Sequence, residues 1–72
     1  METKEFAANK LVELREKRGL TQREVAEALG ISVSAYSAYE IGARTPRDEV
    51  KRKIASFYNR SVQFIFFNAS TH

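Results

Sequence analysis

The sequence has 72 residues and no cysteine. That rules out a disulfide framework and a thiolate metal site. Its single histidine, His72, stands in a polar tail, away from any expected core. There is no glycine-rich phosphate loop, and no pair of carboxylates is placed to face inward together. Acidic residues mostly alternate with basic ones along the expected helices, the pattern of a solvated surface. No enzyme is expected, and no cofactor, metal or small-molecule ligand. The longest apolar run, Phe64-Ile65-Phe66-Phe67, is far short of the roughly 20 residues that span a bilayer. Met1 to Glu5 does not have the form of a signal peptide. No membrane association and a cytoplasmic location are the expectations. No segment alternates like a strand, and there are no internal repeats or linkers.

Hydrophobic residues make up 43% of the chain and charged residues 29%, which suits a folded domain rather than a disordered one. A chain of this size buries only about 60% of its unfolded surface, so one small domain with a thin core is expected. Residues 1–67 are assigned to that domain and 68–72 to a frayed tail. The formal net charge of +3 points only weakly toward polyanions, because twelve basic against nine acidic residues is a common balance.

Helical spacing organises the rest. Phe6, Ala7, Leu11 and Leu14 mark a first helix, with Thr3 as a possible cap and Gly19 as its end. Thr21 and Glu24 fit a capping box, and Val25, Ala26 and Leu29 form the buried stripe of a short second helix closed by Gly30. Ser32 caps a third helix that runs to about Glu40 with Tyr36 and Tyr39 inward. Thr45-Pro46 predicts the start of a fourth helix with apolar Val50, Ile54, Phe57 and Tyr58, while Arg47, Lys51, Arg52 and Lys53 read as a solvated face. Asn59 ends it, and Ser61 caps a last short helix with Val62, Ile65 and Phe66. The expected fold is all-α, with five helices.

The most specific signal is the set of residues from Thr21 to Pro46. A tight corner between two helices needs small residues where backbones approach and apolar ones where the helices cross. Val25, Ala26, Leu29, Gly30, Ile31, Tyr36 and Tyr39 supply these at fixed offsets. That is helix-turn-helix geometry, in which the second helix of the pair enters a DNA major groove. With Leu14, Arg15, Gly19, Leu20, Gln22, Ser32, Glu40, Gly42, Arg44 and Pro46, the chain resembles the Cro/C1-type helix-turn-helix domain of phage repressors and bacterial regulators. The resemblance runs from Leu11 to Phe67. It implies a compact lambda-repressor-like arrangement with the helix-turn-helix at helices 2 and 3.

The resemblance also implies roles. Gln22 would hydrogen-bond a DNA phosphate, and Arg44, with Arg47, would contact phosphate from the loop after the third helix. Ser32, Val33, Ser34, Ser37 and Ala38 would face the groove. Arg15 and Glu40 would form a structural ion pair. The groove-facing set departs from expectation, because it holds no Arg, Lys, Asn or Gln, the usual readers of base edges. Arg60 also stands where many relatives carry an apolar residue. Phe64-Ile65-Phe66-Phe67 cannot all point inward from one short helix. Phe64, Phe66 and Phe67 are therefore the candidates for a protein interface. The leading functional expectation is a small phage or mobile-element transcriptional regulator that binds double-stranded operator DNA in a lysis–lysogeny type switch. It would act as a homodimer or in a heterocomplex with a larger repressor. The alternative is an antirepressor that binds a partner repressor and blocks its DNA binding.

Overall fold

The computed structural model describes residues 4–67. Among them are five helices and no strand: α1 Lys4–Lys17, α2 Gln22–Leu29, α3 Val33–Glu40, α4 Asp48–Tyr58 and α5 Val62–Phe66. The expected cap at Thr3 and the tail Asn68 to His72 lie outside the described residues. No described helix is long and apolar enough to cross a membrane.

Local chemistry sets most boundaries. The capping box is complete: Thr21 Oγ1 accepts from the Glu24 amide at 3.0 Å, and Glu24 Oε1 accepts from the Thr21 amide at 2.8 Å. Ser32 and Ser61 cap α3 and α5 by accepting from the amides of Ala35 and Phe64, each at 3.0 Å. Gly30 ends α2 at φ +75°, a left-handed conformation that reverses the chain within the corner. The Ile31 amide then donates back to the Ala26 carbonyl at 3.0 Å, which completes the helix stop.

Leu11 on α1, Val25 on α2, Tyr36 on α3, Ile54 on α4, and Ile65 and Phe66 on α5 are fully buried, so every helix contributes to one core. α1 packs on α3 and α5, α2 packs on α3 and α4, and α4 packs on α5. Inside this core the hydroxyls of Tyr36 and Tyr58 hydrogen-bond at 2.7 Å, satisfying two polar groups that burial alone would penalise.

Three expectations are corrected. α4 does not begin at Thr45-Pro46. Pro46 is buried within the connection, and the helix starts two residues later, with Arg47 as an extended N-cap that makes no side-chain cap bond. Asp48 lies in the first turn, as expected from its place after Pro46, and Glu49 lies there with it, where their charge suits the helix dipole. Lys51 is not part of a solvated face. It is 9% exposed, with its ammonium 5.6 Å from the Phe66 ring centroid and 5.3 Å from that of Phe67. Phe66 is not available to a partner, because it is fully buried between helices, whereas Phe64 and Phe67 stay exposed.

The space around Gly30 is open, with nothing within 4 Å of an added Cβ. The cost of a side chain there is therefore backbone strain and not a clash. Gly30→Ala is expected to lower stability by about 1–2 kcal/mol, and Gly30→Asn by less, since Asn tolerates this conformation. Urea unfolding of the three proteins measures this.

Candidate nucleic-acid interface

The surface of interest is built at the outward side of α3. Tyr36, Tyr39 and Glu40 face inward and are buried, so the opposite face is left to Ser34, Ser37 and Ala38. Ser32 and Ser34 are exposed, with their hydroxyl oxygens 3.4 Å apart, while Ser37 and Ala38 are partly exposed. Val33 is partly buried and packs against the core, so only part of it remains for a ligand. Ile41, the residue that closes α3, is 73% exposed. Ile41 is not among the groove-facing residues expected from the sequence, although it lies three and four residues after Ala38 and Ser37, at helical spacing.

The inner side of α3 is fastened by charge. Arg15 Nε donates to Glu40 Oε2 at 2.7 Å, and its second terminal nitrogen donates to Oε1 at 3.0 Å. The remaining terminal nitrogen of Arg15 donates to the Leu20 carbonyl at 2.9 Å. This is the bidentate geometry in which a guanidinium and a carboxylate interact most strongly. The Glu40 side chain is only 2% exposed and that of Arg15 17%. Gln22 lies half-buried beside them, donating its amide to Glu40 Oε1 at 2.9 Å. The start of α2 and the end of α3 are thereby held together. An amide nitrogen carries two hydrogens, so one N–H of Gln22 is spent on Glu40 and its second remains.

The loop after α3 is folded against the last turn of that helix. The Ala38 carbonyl accepts from the amides of Ala43 at 2.9 Å and Arg44 at 3.3 Å. Arg44 and Arg47 are both exposed. Gln22, Ile41 and Arg44 are thus gathered toward the C-terminal end of α3, while Ser32 and Ser34 mark its N-terminal end. Among the described residues no group of His, Cys, Asp or Glu is arranged to hold a metal ion.

A helix-turn-helix family model matches residues 11–65. The chain belongs to the Cro/C1-type helix-turn-helix family. Within the family it is similar to the cryptic phage CTXphi transcriptional repressor RstR of Vibrio cholerae, at 34% identity over 90% of this chain and 59% of that protein. It is also 38% identical to the transcriptional regulator ImmR of Bacillus subtilis, over 78% of this chain and 44% of ImmR. A further Bacillus subtilis helix-turn-helix regulator, YqaE, is 35% identical over 83% of this chain and 51% of its own length. The chain therefore spans about half the length of these family members. No solved structure gives a significant match.

The ion pair sets a pH dependence. Burial alone raises the Glu40 carboxyl, but hydrogen bonds from Arg15 and Gln22 outweigh it and hold its pKa below the ordinary 4.5. The unfolded chain then binds more protons than the native one in acid. The stabilisation is complete above pH 4.5 and is lost as pH falls through the lowered native value. Burial, first of all, pushes the Tyr36 and Tyr58 hydroxyls up from the ordinary 10.0, so stability also falls above pH 10 as unfolded tyrosines ionise. Urea midpoints measured against pH are expected to form a plateau between these limits, with a shallower acid limb in Glu40→Gln. Arg15→Ala, which strands the Glu40 carboxylate, is expected to cost about 3–5 kcal/mol, and the double variant Arg15→Met/Glu40→Met less than that.

Proposed function

We propose that this protein regulates transcription by binding double-stranded DNA, with α3 in the major groove. The observation that carries this reading is the outward face of α3, left open beside the exposed Arg44 and Arg47 while the only carboxylate of that helix is tied inward by Arg15 and Gln22. Phosphate oxygens meet no uncompensated negative charge on α3 and two cations next to it. Arg44, Arg47 and the second N–H of Gln22 act as phosphate contacts that fix register without reading sequence. Ser32, Ser34 and Ser37 each offer a hydroxyl that both donates and accepts, and Ala38 offers a methyl group, so these residues discriminate poorly between bases. Groove shape and deformability then contribute much of the selectivity.

The finer reading is a regulator of a phage or mobile element, acting as a dimer on half-sites one helical turn apart. It is supported by the likeness to RstR, which is named as a phage repressor. A second reading is favoured by one specific observation: Phe64 on α5 and Phe67 just after it lie exposed, with Lys10 4.5 Å and Arg60 5.4 Å from the Phe64 ring centroid. An exposed aromatic pair of this kind suits a protein partner, including a larger repressor whose DNA binding it blocks.

One titration separates the two. The protein is mixed with duplex DNA from its own upstream region at two salt concentrations, with and without the repressor encoded beside it. Binding by the protein alone, falling steeply with salt, supports the regulator. No binding alone, together with a stable heterocomplex, supports the partner-blocking role. Within the first outcome, Arg44→Ala is expected to weaken binding about evenly across sequences and to reduce the salt slope by about 1. An unchanged slope removes Arg44 from the phosphate contacts.

A further inference from the structure

We infer that Ile41 is a base-reading residue of α3, and that it recognises the C5-methyl group of thymine in the major groove. The inference rests on the DNA-binding reading above and assigns a specificity to it that the serines cannot supply.

The geometry is specific. The Ile41 amide still donates to the Ser37 carbonyl at 3.1 Å, so the residue keeps the register of the helix. At about 3.6 residues per turn, Ile41 falls in line with Ser34, Ser37 and Ala38, opposite Tyr36 and Tyr39. It is 73% exposed, whereas the core-facing side chains of α3 are buried. The backbone after it is also fixed, by Gly42 donating to the Tyr39 carbonyl at 3.3 Å and Ala43 to that of Ala38 at 2.9 Å. The side chain is therefore held out on a rigid base and not on a mobile loop tip.

Chemistry then selects the target. An isoleucine side chain has no donor or acceptor. Of the groups that base pairs present in the major groove, only the thymine methyl is apolar. Ser34 and Ile41 are seven positions apart, about 10 Å at helical rise, which fits within a groove about 12 Å wide. The charges near Ile41 suit a polyanion: Arg44 follows in the loop folded against α3, and Glu40 is neutralised on the inner side.

The test is a selection from a random duplex pool with the wild-type protein and with Ile41→Ser. Affinities are then measured for the wild-type winner and for copies in which each thymine is replaced by uracil, which removes only the methyl group. Because Ile41 lies on the surface, Ile41→Ser is expected to melt at the wild-type temperature, which confirms that it folds. At one thymine per half-site, uracil is expected to weaken wild-type binding roughly three- to fivefold, the equivalent of one buried methyl group. The same replacement leaves Ile41→Ser unaffected, and the motif it selects no longer requires thymine there. A wild-type protein that selects a motif but is indifferent to uracil, or that shares its whole motif and uracil response with Ile41→Ser, overturns the assignment. A wild-type protein that binds duplex DNA but enriches no sequence overturns this assignment alone, whereas one that binds no duplex even at low salt overturns the DNA-binding reading and, with it, this one.

Discussion

The contact between Arg15 and Glu40 is the constraint on which the rest of this fold depends. It joins residues 25 apart in sequence, on α1 and at the last position of α3, through two hydrogen bonds in parallel. A carboxylate this deeply buried is unfavourable by itself, and it is tolerated because Arg15 and Gln22 satisfy it together. The consequence is mechanical. The end of α3 cannot shift along α1 without leaving a buried charge unpaired, so α3 has one position. The start of α2 is tied to the same carboxylate through Gln22.

The outward face inherits that rigidity. α3 has only eight residues, too short to be stable alone, and its helicity comes from the Ser32 cap, the buried tyrosines and the ion pair. Inner and outer sides are chemically opposite. Charge, hydroxyl pairing and ring packing lie inside, and hydroxyls, a methyl group and one branched aliphatic chain lie outside. On the proposed DNA-binding reading, affinity and selectivity are divided between different residues, with cations in the loop providing attraction and α3 providing fit.

Features decided by near neighbours in the chain were legible in the sequence. The capping box at Thr21, the serine caps at Ser32 and Ser61, and the stops at Gly30 and Asn59 follow from local backbone chemistry, and the structure has all of them. The five-helix arrangement followed from them and from the apolar spacing. Features decided by distant packing were not legible. Pro46 resembles a helix start until the core buries it. Lys51 resembles a surface cation until folding buries it with its ammonium over the rings of Phe66 and Phe67. The four adjacent apolar residues Phe64 to Phe67, at the end of α5 and just after it, cannot be sorted into core and surface without the helices around them. The bond from Gln22 to Glu40 spans 18 positions, so nothing near Gln22 in the chain announces it. Ile41 was missed because a residue just past a helix end is not counted on its face, although its amide keeps the helical bond.

The central claim is that the face of α3, with the loop that follows it, meets DNA. The most direct test is an amide chemical-shift titration of the isotope-labelled protein with duplex from its own upstream region. The account predicts shifts concentrated at Gln22, from Ser32 to Ala38, and from Ile41 to Arg47, with α5 little changed. Shifts confined to Phe64, Phe67 and their neighbours on α1 and α5, with α3 silent, would contradict it.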